Sequence, residues 1–97
     1  MSRTQLKSLI DLIELVVNAV SVSDDFSYSG WKSKDHALAE MDEILEDLRE
    51  GTFTVDAVAM LFAPTGPLQE LSMSNGWEEA YLSIAEQFDH ISGRSAR

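Results

Sequence analysis

Apolar side chains recur at three-and-four spacing over residues 4–22, at Leu6, Leu9, Ile10, Ile13, Val16, Val17 and Val20, which is the periodicity of one helical face. Leu12, Leu15, Ala19 and Val22 form a second stripe beside the first, so the apolar arc covers well over half the circumference. Only Lys7, Asp11, Glu14 and Asn18 remain as a narrow polar strip. A helix of this kind either packs on two sides within its own fold or buries one side against another chain. The first arrangement is the expectation, because short neighbouring helices need a central member.

Residues 23–30, SDDFSYSG, show no period and are rich in turn and cap residues, so they read as a loop that leads to Trp31. A second helix follows over 31–50, with Ser29 or Ser33 as its cap and Gly51 at its stop. Its inward face is Ala37, Leu38, Met41, Ile44, Leu45 and Leu48; its outward face is Glu40, Asp42, Glu43, Glu46, Asp47 and Glu50. A short third helix, TVDAVAMLFA, is capped by Thr52 or Thr54, is apolar on nearly every side, and ends at Pro64, whose ring and missing N–H oppose continuation. Pro67 opens a fourth helix of about two turns carrying Leu68, Leu71 and Met73, which closes at Asn75-Gly76. Asn75 with Glu78 three residues on reads as a capping box for the last helix, whose inward stripe is Trp77, Ala80, Tyr81, Ile84, Ala85, Phe88 and Ile91 and whose stop is Gly93. The expected fold is therefore all-α: one domain over 1–97, a bundle of about five helices, two of them short. Order is expected over 4–92 with a tail at 93–97. No second strand-like run exists to pair with residues 52–55, so no sheet is expected.

Charge changes this picture more than composition does. The hydrophobic fraction of 44% is ordinary for a globular chain, so a net charge of -10 is no sign of disorder. Thirteen acidic residues but only one basic residue, Arg49, fall within 35–89. Such a field repels nucleic acid and anionic membranes and attracts a basic protein surface. On the second helix, acids three or four apart, such as Glu43 with Glu46 and Asp47, repel by a few tenths of a kcal/mol per pair, and their crowding toward the C-terminus opposes the helix dipole. Solubility is the alternative reason for so much negative charge. The chain has no cysteine, hence no disulfide and no thiolate metal site, and the run 9–22 is broken by Asp11, Glu14 and Asn18, too polar for a signal segment and too short for a membrane span. A soluble cytoplasmic protein is expected.

Candidates for chemistry are few. His36 and Glu40 lie four apart, a spacing that can ligate a metal, but two ligands are too few and an exposed helical ion pair accounts for them. His90 suits the C-terminal end of its helix. The segment PTGP lacks the lysine of a phosphate-binding loop, no serine sits in GxSxG, and the acids do not follow the DxDxDG spacing of a calcium loop. No cofactor, metal or enzymatic activity is expected.

The segment LFAPTGPLQELSMSNGW, continuing as EEAYLSIAEQFD, resembles the C-terminal signature of a family of small uncharacterised bacterial proteins, and DDFSYSGW followed by AEMDEIL fits the same pattern upstream. The resemblance spans Asp24 to Asp89 and implies a compact, helical, cytosolic bacterial protein, with no activity or catalytic residue to transfer. In physical type the chain is also similar to small acidic immunity proteins that neutralise nuclease toxins, although it lacks the tyrosine-pair motif of the colicin immunity family.

Two functions follow as expectations. The first is a protein-binding domain, an immunity-like inhibitor or antitoxin, that covers a basic protein partner with Asp24, Asp25, Glu43, Glu46, Asp47 and Glu50 and anchors it with Phe26, Tyr28 and Trp31. Those rings have a second reading, as pins that hold the loop to the core. The alternative function is a structural domain, monomer or homodimer, that self-associates through Leu12, Leu15, Ala19 and Val22.

Overall fold

The wide apolar arc of the first helix decides the architecture. The computed structural model describes residues 2–26, 31–62 and 66–93, and its elements are α1 (Arg3–Ser21), α2 (Lys34–Glu50), α3 (Val55–Leu61), α4 (Pro67–Asn75) and α5 (Glu78–Ser92), an all-α bundle. Helix α1 packs against both α2 and α5, and α4 packs against α5. Leu9, Leu12, Ile13, Val16 and Val20 are buried, so α1 is flanked on two sides within its own chain. Among the described residues no helix is long and apolar enough to cross a membrane.

Helix ends follow local chemistry. The Ser2 hydroxyl accepts from the Gln5 N–H at 3.1 Å while Gln5 Oε1 accepts from the Ser2 N–H at 2.8 Å, a reciprocal cap. The Gln5 amide also donates to the Ile91 carbonyl at 3.2 Å, which places the start of α1 beside the end of α5. Ser33 and Thr54 cap α2 and α3. Helix α2 thus begins at Lys34, later than the sequence pattern indicates, because Trp31 is used for tertiary packing. After α4 the chain turns on Gly76 at φ 79°, and the Trp77 N–H returns to the Ser72 carbonyl at 3.0 Å, a Schellman closure that needs a left-handed residue.

The core is one cluster contributed by all five helices. Phe62, at the end of α3, stacks on Phe88 with centroids 4.6 Å apart and on Tyr81 at 6.5 Å. In α4 the buried set is Leu68, Leu71 and Ser72, with Met73 exposed, so the inward spacing is three and then four from Leu68. Ser72 can be buried there because its hydroxyl donates to the Gln69 carbonyl at 2.8 Å. Ala80 of α5 is exposed, and Met60 of α3 is 72% exposed, so neither helix end is as enclosed as its sequence implies.

Asn75 does not cap α5, as its spacing to Glu78 implies. It is the last residue of α4, and Trp77 precedes α5 with no side-chain cap. Its Oδ1 accepts the N–H groups of Asp24 and Asp25, both at 2.9 Å, and its Nδ2 donates to the carbonyls of Asp25 at 2.8 Å and Leu71 at 2.9 Å. Beside this clamp the Trp77 indole donates to the Ser23 hydroxyl at 2.9 Å, which donates to the Ala19 carbonyl at 2.8 Å. At roughly 1 kcal/mol per partly buried hydrogen bond, Asn75→Ala lowers stability by about 2–3 kcal/mol, about 8–20 °C in Tm for a domain of this size. The neighbouring half-buried Ser74, changed to Ala, shifts stability by less than about 0.5 kcal/mol. Thermal melts of the two variants check this.

Candidate docking surfaces

The carboxylate face of α2 follows from its register. Ala37, Met41, Leu45 and Leu48 turn inward, which sends Asp42, Glu43, Glu46 and Glu50 outward to exposed positions. Asp47 is half-buried and accepts from the Thr52 hydroxyl at 3.3 Å, so it also serves the turn after Gly51. Arg49, the one cation on this part of the helix, reaches away to Glu14 of α1 at 3.5 Å. That exposed pair adds little to stability, yet it takes the nearest positive charge away from Glu46 and Glu50.

Asp24 and Asp25 are not part of the same cluster. The Lys34 ammonium lies 3.9 Å from the Asp24 carboxylate, which sets Asp24 beside the first turn of α2. Glu43 lies nine residues further along, about 14 Å at 1.5 Å per residue, and Glu50 about 24 Å. The acids therefore form a strip along α2 and a separate pair at its start. The backbone of that pair is fixed by Asn75 while the Asp24 side chain stays 96% exposed.

The aromatic residues sort differently. Trp31 is 4% exposed and sits in the core, and its indole N–H donates to Glu40 Oε2. Phe26 is partly buried and packed against the same core. Both rings thus pin the chain entering α2, in line with the second reading of these residues. Tyr28 lies outside the described residues. Glu40 receives Trp31, and His36 Nδ1 accepts the Lys32 N–H at 3.3 Å, so the expected His36–Glu40 ion pair gives way to separate local partners. Among the described residues no three His, Asp or Glu side chains are grouped to hold a metal.

A second surface was not visible as a unit in the sequence. Between the outer edges of α1 and α5 runs a groove of about 1070 Å3 whose apolar lining is Leu12, Leu15, Leu82 and Ile91. Leu15 is 54% and Leu82 50% exposed. Asp11, Glu86 and Asp89 also line it, with His90, and among the described residues no lysine or arginine does. One signal for it exists in the chain: Leu82 is a large apolar residue off the inward stripe of its helix, between Glu79 and Glu86. Of the stripe Leu12, Leu15, Ala19 and Val22, Leu12 is buried in the core at 3% exposure, whereas Val22 is 76% exposed.

Comparison with protein-family models, with curated proteins and with solved structures finds no match for the chain.

Burial of Trp31 has a direct readout. In a Trp77→Phe protein the remaining indole is Trp31, and its fluorescence is expected to be blue-shifted and weakly quenched by acrylamide. Trp31→Phe keeps most of the buried ring and loses the bond to Glu40, at about 1–2 kcal/mol; Trp31→Ala costs about 3–5 kcal/mol. A strongly quenched, solvent-like emission would contradict this placement.

Proposed function

We propose that the protein is a non-catalytic binding domain that lays the carboxylate strip of α2 against a basic surface of another protein, in the manner of an immunity-like inhibitor or antitoxin. One observation carries this reading: Asp42, Glu43, Glu46 and Glu50 are exposed on one face, and the nearest arginine is directed to Glu14. Glu43 and Glu46 are three apart, Glu46 and Glu50 four apart, so the strip repels itself along the helix. It also places negative charge at the end of the helix where the dipole favours cations. A surface arranged for stability alone has lysines in some of these places. A cationic partner reverses both costs on binding, and its long-range attraction speeds encounter.

Asp24 and Asp25 extend the acidic surface past the start of α2, held in place by Asn75. Trp31 and Phe26 act in this reading through the scaffold, because their rings are used in the core. Affinity then rests on charge and on side chains other than Trp31 and Phe26. Self-association through α1 is the weaker reading, since burial of Leu12 leaves its stripe incomplete.

The test separates stability from binding in one variant. Glu46→Lys removes the repulsion with Glu43 and Glu50, creates favourable pairs with Asp42 and Glu43, and suits the dipole, so it raises stability by about 0.5–1 kcal/mol. The Glu43→Lys/Glu46→Lys protein should nevertheless lose the basic protein that the wild type retains from host lysate at low salt and releases at high salt. If the retained protein stays bound to the double variant, the α2 strip is not the docking surface.

A further inference from the structure

Glu14 of α1 is paired with Arg49 of α2, whereas Leu12 and Leu15 of α1 line a groove with α5, and its chemistry differs from that of the α2 strip. Its apolar lining combines Leu12 and Ile91 with the half-exposed Leu15 and Leu82, and its charged lining is Asp11, Glu86 and Asp89 together with His90. Gln5 bonded to the Ile91 carbonyl and Trp77 bonded to Ser23 show that the two helices run antiparallel, and the groove lies between them. The lining residues extend from Ser8 to Leu15 on α1 and from Leu82 to Ile91 on α5, about 10 and 14 Å along the helix axes. That length matches two turns of a third helix, whose anchors at i, i+3 or i+4, and i+7 span about 10 Å.

We infer that this groove is a docking site for an amphipathic helix of a partner protein that carries leucine-like anchors on one face and lysine or arginine on the flanks. Charge complementarity selects this occupant. Among the described residues the groove is lined by the carboxylates Asp11 and Glu86 and by no lysine or arginine, so cationic flanks gain on both sides of an apolar seat. A second copy of the chain is the poorer occupant, because it would bring the Asp11 and Glu86 of one protomer toward those of the other on a molecule of net charge -10. The inference goes beyond the α2 strip and stands on different residues.

The probe is a fluorescein-labelled peptide of about fourteen residues, with leucines at i, i+3, i+4 and i+7 and lysines flanking them. A scrambled peptide of the same composition is the control. Titration of the full chain should give saturable binding to the ordered peptide and at least tenfold weaker binding to the scrambled one. Amide shifts in the wild type should centre on Leu15 and Leu82. Leu15→Gln/Leu82→Gln, at half-exposed positions that leave the core intact, should weaken binding about tenfold or more while thermal melts show a folded protein. Asp11→Lys/Glu86→Lys should weaken it severalfold at low salt and less at high salt. At about 0.15 M salt, where screening acts within ~8 Å, Glu43→Lys/Glu46→Lys should change the peptide affinity by less than about threefold, so failure of the groove and failure of the α2 strip are read separately. Equal binding of the scrambled peptide, no effect of the leucine substitutions, or a wild-type dimer that those substitutions dissolve would each overturn the inference.

Discussion

The structure depends on one constraint, the width of the apolar arc on α1. Seven positions at helical spacing and a second stripe beside them give that helix more surface to bury than one neighbour can cover. Packing of α2 on one flank and α5 on the other meets the need, and burial of Leu9, Leu12, Ile13, Val16 and Val20 records it. The rest follows from geometry. With α1 in the centre, α2 turns one face in and must show its acids outward. Helix α5 meets α1 along a line that leaves Leu15 and Leu82 only half covered.

A polar clamp locks this arrangement at one end. Asn75 holds the backbone of Asp24 and Asp25, and Trp77 holds Ser23, so the chain leaving α1 is joined to the α4–α5 turn by side chain to main chain bonds of 2.8–2.9 Å and a hydroxyl relay. Charged groups then sit on fixed backbone, and a fixed array of carboxylates loses less entropy on meeting a complementary surface than a mobile one. Glu14 with Arg49 and Asp24 with Lys34 are exposed pairs and add orientation more than energy.

Much of the fold was legible because local signals agreed with one another. Helical periodicity in 4–22 and 37–48, serine and threonine caps, Pro67 at a helix start and glycines at three helix stops all point to the same elements. What stayed hidden was set by tertiary contact. The spacing from Asn75 to Glu78 is that of a cap, and only the approach of Asp24 and Asp25, some fifty residues away in the chain, redirects the side chain. Trp31 reads in sequence as an exposed anchor or, as such rings more often are, a buried pin, and the indole on Glu40 decides for the pin. Met73, Ala80 and Met60 belong to apolar runs whose exact phase is fixed by which neighbour arrives, and each ends outside. The acidic strip of α2 could be read from periodicity alone, but the α1–α5 groove could not, since it combines residues of two helices at opposite ends of the chain.

Thirteen acids against one arginine within residues 35–89 make the negative surface a standing cost in the free protein. Stability of the wild-type chain against urea, measured as sodium chloride rises from about 10 to about 200 mM, tests this most directly, because the screening length falls from about 30 Å to below 10 Å over that range. The urea midpoint is expected to climb steadily with salt at unchanged slope. A midpoint that is flat or falls would mean that the carboxylates are already balanced by internal partners, and the reason for assigning the α2 strip to a basic partner would be gone.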